Sequence, residues 1–277
     1  LKADGGRGPI DITVSVLDEM QLETAVEEEG IKAIYADCSL LLDGTGESIC
    51  RLVRRGQAAG KDMYVALPYI FREDTAALFE SRYPVIRDLF DGVLIRNWES
   101  LRWLENTKKV ISDSNIYVFN RYAKQFLSRT RVDSYTAPVE LNAKELEALG
   151  ICDGTFVAYG YQPVMVTAGC IQKTAGRCSR TDGLSYISDR YQKKFAVKNC
   201  CAYCYNIIYN ALPLVLLNQR EEVEALAPSA LRLDFTTEDA QETRRITGLY
   251  TDAFVRGKDI RTPEMDFTKG HFKRGVK

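Results

Sequence analysis

The chain has 277 residues, 45% hydrophobic and 27% charged, with a formal net charge of −1. That balance suits a folded soluble domain and supplies no overall positive field, so contact with RNA or DNA needs a local basic patch. No apolar run approaches a membrane span, and the single histidine, His271 in the C-terminal tail, excludes a two-histidine zinc site. A Ser-His-Asp triad or Cys-His dyad would require that tail to fold back over the active face, so a histidine-based protease is not expected.

The chain opens on LKADGGRGP without an initiator Met, and the expectation is one domain, 1–277, cut from a longer polypeptide. Nothing reads as a signal peptide, which points to the cytoplasm. Short β-branched runs then recur at 11–17, 33–38, 62–68, 92–97, 109–113, 134–138, 155–160 and 230–235. The segments 21–30, 48–60, 74–90, 99–108, 120–128 and 142–150 carry apolar residues at spacings of three and four, predicting amphipathic helices. Asp74, Ser100 and Asn142 stand where N-caps belong, and Gly30 and Gly60 where helices stop. Eight strands alternating with helices predict an α/β fold, a (β/α)8 TIM-like barrel. A doubly wound sheet is the alternative, but DEMQL rather than a glycine-rich loop follows the first run.

In such a barrel the chemistry sits at the C-terminal strand ends. Those ends carry Asp37, Tyr69, Arg72, Arg96, Asn97, Asp113, Glu140 and Asp234, with Thr236 and Glu238 close behind. Arg72, Arg96, Asp113, Glu140 and Asp234 are the candidate catalytic residues of this polar ring. Each also has a plainer role open to it. Glu140 and Asn142 could cap the next helix, Thr236 or Thr237 the last one, and Asp113 could sit in a turn.

After the seventh run comes an insertion, about 161–218, holding five of the eight cysteines: Cys170, Cys178, Cys200, Cys201 and Cys204. Cys201-Ala-Tyr-Cys204 is a C-x-x-C pair that lets two thiolates meet a metal from one turn, and Cys170 and Cys178 form a looser pair upstream. Four soft ligands suit zinc or an iron–sulfur cluster. Reduced packing thiols and disulfides stay open as alternatives. Lys173, Arg177, Arg180, Lys198 and Asn199 make these surroundings too polar for ordinary packing, whereas Cys38 and Cys152 lie among apolar residues. Asp189–Arg190 reads as a surface pair. From Cys204 to Leu216 the apolar spacing predicts a helix, broken near Leu212 by Pro213.

GYQPVMVTAGC, SDRYQKKFAV, CAYCYNIIYNALPL, RLDFTTE and GHFKRG, in that order, resemble the peptidase U32 (collagenase-like) family. The likeness is closest to the C-terminal barrel module of its long bacterial members and covers nearly the whole chain. Its usual signature has an acidic residue and a phenylalanine before the first cysteine, where this chain has Tyr159-Gly160-Tyr161-Gln162-Pro163. The resemblance implies a four-iron four-sulfur cluster on Cys170, Cys178, Cys201 and Cys204, with Cys200 or Cys38 as alternates. It also implies hydroxylation of RNA or a small aromatic substrate, with sister modules of the same polypeptide as partners. The family name implies a collagenase-like peptidase instead. A non-catalytic barrel stapled by zinc is the third reading.

Overall fold

Each β-branched run contains a strand, though several strands are shorter than their runs, 134–138 keeping only Ser134–Tyr135. The structure, a computed structural model, describes residues 10–41, 46–104, 108–261 and 264–276. In chain order β1 (Asp11–Val16), α1 (Glu19–Glu27), β2 (Ile31–Asp37), α2 (Glu47–Ala58), β3 (Asp62–Ala66), α3 (Glu73–Leu89) and β4 (Gly92–Ile95) alternate. β5 (Val110–Ser112), α4 (Arg121–Leu127), β6 (Ser134–Tyr135), α5 (Ala143–Leu149) and β7 (Thr155–Gly160) follow. The insertion holds β8 (Pro163–Thr167), α6 (Ile171–Thr174), β9 (Gly183–Ser188), β10 (Lys194–Cys200), β11 (Tyr205–Tyr209) and β12 (Leu214–Val215). α7 (Arg220–Leu226), β13 (Ala230–Asp234) and α8 (Ala240–Tyr250) complete the order, α8 running on into a π turn, Thr251–Val255.

These strands make a curled sheet in the order β12-β7-β13-β1-β2-β3-β4-β5-β6, parallel except for β12. Thr136 forms an isolated parallel bridge to Thr155, and the Ala137 N–H donates to the Thr155 carbonyl at 2.8 Å. These two contacts bring the chain just after β6 against the start of β7. Successive side chains on a strand face opposite ways, and the two faces here bury separate clusters. Ala33, Tyr35, Tyr64, Ala66, Leu94 and Ile111 form one. Their strand neighbours Ile34, Ala36, Met63 and Val65 join Leu22, Val53 and Phe79 from the helices in the other, larger core. The fold is mixed α/β, built on a curled parallel sheet.

The insertion is a second, antiparallel sheet in the order β8-β11-β10-β9. Here the expected helix from Cys204 to Leu216 is corrected. Cys204 takes a left-handed backbone, φ 52°, and turns the chain so that Tyr205–Tyr209 pairs with β10 and β8 instead. Pairing on both edges gives partners to the backbone groups that point to either side of β11. Asp189 belongs to the β9–β10 turn, its Oδ1 accepting from the N–H groups of Tyr191 and Lys193 at 2.8 and 3.0 Å.

Helix ends differ from expectation at three places. α3 begins at Glu73 rather than after Asp74, and the Thr75 hydroxyl accepts from the Arg72 N–H at 3.1 Å. The described part of 99–108 is a 3-10 turn, Trp98–Trp103, capped by Asn97 Oδ1 on the Ser100 N–H, so Ser100 is capped rather than capping. Asp239, not Thr236 or Thr237, caps α8. Asn142 does cap α5, taking the N–H groups of Lys144 and Glu145. Cys152, expected among packing residues, is exposed.

Candidate functional site

At the C-terminal strand ends six charged side chains form one network. Arg96, at the end of β4, donates from Nη1 to Asp37 at 3.2 Å and from Nε to Asp113 at 3.1 Å. Arg232 on β13 donates to Asp113 at 2.8 Å and to Asp234 at 2.7 Å. Lys198, reaching over from β10, donates to Asp37 and to the Ser39 hydroxyl, each at 3.0 Å. Burial alone would raise the Asp113 carboxyl, but Arg232 and Arg96 outweigh it and hold the group at about 2. Burial likewise opposes ionisation of Asp37, and Lys198 and Arg96 overcome it, keeping the carboxyl well below its usual range. Asp234 runs the other way, raised by burial that Arg232 only partly offsets.

Beside the network lies a cavity of about 380 Å³. Arg96, Asp113, Arg232 and Asp234 form its floor, Tyr69 and Tyr209 its walls, and Val164 to Val166 of β8 a rim from the insertion. The Arg96 guanidinium lies 4.6 Å above the centre of the Tyr69 ring, a favourable charge–quadrupole contact. Glu140 and Asn115 line the cavity too, and Glu140 Oε2, Asn115 Oδ1 and the Thr236 hydroxyl are buried without a hydrogen-bond partner among the described residues. Of the five candidate catalytic residues, four therefore meet at this cavity: Arg96, Asp113, Glu140 and Asp234. Arg72 stands apart, with Nη2 donating to the Ala168 carbonyl at 3.0 Å, and ties the start of α3 to the insertion.

The cysteines gather in a second pocket of about 510 Å³, lined by Cys170, Cys178, Cys200, Cys201 and Cys204 with Lys173 and Arg180. Two buried amides set its frame. Asn206 Nδ2 donates to Asn199 Oδ1 at 2.8 Å, and Asn206 Oδ1 accepts from the Ile171 N–H at 2.8 Å, fastening the Cys170 loop to β11. Burial raises the Cys201 thiol to about 11, with Asp182 and then Cys170, Cys178 and Cys204 adding to it. Cys170, Cys178 and Cys204 are thus each within electrostatic reach of Cys201. Among the described residues no group of three or more His, Cys, Asp or Glu side chains is placed to hold a metal ion. Of the alternates, Cys200 lines the pocket but burial pushes its thiol to about 12, and Cys38 is buried among the core residues.

The two pockets have no lining residue in common and are linked by one hydrogen bond. Tyr205 lines the cysteine pocket, and its hydroxyl accepts at 3.2 Å from the backbone N–H of Tyr69, which lines the cavity. Ser39 and Lys198 make a Ser–Lys contact, but Ser39 donates its own proton to Asp37 at 2.6 Å and Asp37 helps keep Lys198 protonated. A nucleophile needs a neighbouring base, and neither partner is free to act as one.

No family model matches the sequence. No curated protein matches it. Solved structures similar to it include the C-terminal domain of a putative chitinase from Desulfitobacterium hafniense DCB-2, at 8% identity and TM-score 0.46, over 90% of this chain and 100% of that one. Orotidine 5'-monophosphate decarboxylase from Metallosphaera sedula is similar at 10% identity and TM-score 0.45, over 90% and 97%. The YdjI aldolase from Escherichia coli K12 is similar at 8% identity and TM-score 0.43, over 90% of each chain. Among the described residues no helix is long and apolar enough to cross a membrane.

Sequence reasoning missed Arg232 and the role of Lys198. The signal for Arg232 was a charge in the middle of an apolar strand, ALRLDF, a placement that burial tolerates only when the charge is paired.

Proposed function

We propose that this chain is a peptidase U32-type module with a closed (β/α)8 barrel, sealed where Thr136 meets Thr155. Cys170, Cys178, Cys201 and Cys204 hold an iron–sulfur cluster, and the adjoining cavity takes a small aromatic substrate for hydroxylation. The observation that carries this reading is the Tyr69–Tyr205 hydrogen bond, which links a pocket lined by five cysteines to a polar cavity of ligand size. A volume of about 380 Å³ lies in the range of small-molecule sites, which favours a compact substrate over RNA. Hydroxylation of a C–H bond is a two-electron oxidation of the substrate, and the cluster, when bound, would supply electron transfer. The chain's own residues orient and shield the substrate. Tyr69 and Tyr209 offer ring walls, the Val164 to Val166 rim restricts water, and the neutralised Arg96–Asp113–Arg232 network fixes the floor. In this reading the protein works in the cytoplasm beside sister modules of its polypeptide.

The test is iron, zinc and acid-labile sulfide per chain after anaerobic purification, on the wild type and on Cys204→Ser. Roughly four irons and four sulfides, lost in the variant, are expected. About one zinc without sulfide would mark the insertion as a structural clip and end the hydroxylase reading.

A further inference from the structure

The cavity's charges are unequally satisfied, and the imbalance describes its ligand. Asp37, Asp113 and Asp234 are matched in direct ion pairs by Arg96, Arg232 and Lys198. Three carboxylates against three cations leave the network neutral, and the members that line the cavity, Arg96 and Arg232 with Asp113 and Asp234, also balance, so the floor offers no net positive charge to an anion. Glu140 stands outside that balance. It makes no ion pair among the described residues, and its Oε2 is buried without a hydrogen-bond partner while its side chain lines the cavity.

Asn115 adds a second demand of the same kind. Its Nδ2 donates to the Arg96 carbonyl at 2.7 Å. That bond fixes the orientation of the amide, because a flipped Asn115 would set oxygen against oxygen. The remaining Oδ1 is therefore an acceptor, buried and unpartnered, and Asn115 lines the same cavity. An acceptor left bare in a buried site costs about 1–3 kcal/mol, a cost that a ligand carrying donors removes. Tyr117, about half exposed, and Tyr161 line the cavity as well, and the faces of such rings attract cations.

We propose that the cavity binds a small ligand bearing a protonated amine. The amine pairs with the Glu140 carboxylate, a second N–H or O–H donor meets Asn115 Oδ1, and the apolar body lies against Val164, Val166 and Phe235. This inference rests on the cavity being the substrate site and adds the substrate's charge.

Benzylamine, benzyl alcohol and benzoate share a size and differ in charge, which makes them suitable probes. Binding of each is measured on the full chain by the shift of the Met165 methyl resonance, since Met165 lines the cavity and is one of four methionines. Benzylamine should bind about tenfold more tightly than benzoate, with the alcohol between them. In Glu140→Gln, which keeps the shape of the side chain, the preference should shrink to roughly threefold or less. Benzoate binding as tightly as benzylamine to the wild type would overturn the amine assignment while leaving the cavity as a ligand site, and so would an undiminished preference in a folded Glu140→Gln. Failure of all three probes to move Met165 would overturn both the amine assignment and the reading of the cavity itself.

Discussion

Asp113 shows most plainly how a single residue's neighbours set its role. It accepts from two arginines, Arg96 and Arg232, and is held at about 2. Its pKa in the folded chain lies below that of an ordinary carboxyl, so its contribution to stability is complete above about pH 4 and is lost as pH falls toward 2. Asp37 is shifted in the same direction by Lys198 and Arg96 against the effect of burial. Urea unfolding should therefore show little change between pH 7 and 5 and a clear loss below about pH 4. Asp113→Asn should lower stability at neutral pH by about 3–5 kcal/mol, because two buried guanidinium groups lose their shared partner, and should flatten the acid limb. A wild-type protein as stable at pH 3 as at pH 7 would contradict the pairing. Glu140, in the turn between β6 and α5, has no such partner among the described residues.

Among the elements, β10 joins the insertion to the parallel sheet. Lys198 reaches from β10 to Asp37 at the end of β2, 161 residues earlier in the chain. The expected polar halo around the thiols is in this respect a tether, with Lys198 and Asn199 both buried. Lys198→Met should leave β1 to β3 protected while amide exchange in β8 to β11 quickens by about tenfold, the equivalent of about 1.4 kcal/mol. Uniform exchange across both sheets would show that Lys198 does not hold the insertion down. The failed helix from Cys204 to Leu216 belongs to this scale too. Its apolar residues satisfy both a helical spacing and strand alternation, and only the presence of β10 and β8 on either side decides between them.

For the whole molecule, the weakest join in the parallel sheet is the seam after β6. β6 is two residues long, and one isolated bridge with one further hydrogen bond connects Thr136 and Ala137 to Thr155. Few backbone hydrogen bonds mean a low cost of local opening, so amides of 134–137 should exchange before those of β1, β2 and β13. Protection at the seam equal to that of β1 would imply a more continuous closure than these contacts provide. The sequence by itself determined the alternation of strands and helices, because β-branched runs and spacings of three and four are local properties of the chain. It also marked the cysteine-rich insertion and the strand-end residues Arg96, Asp113, Glu140 and Asp234 as candidates. Only the tertiary structure decided which of those charges cancel and which remain. Ion pairing depends on distance in space, and the partners here lie 17, 59, 119 and 161 residues apart along the chain. Burial then turns each pairing, or the lack of one at Glu140, into the chemistry of the cavity.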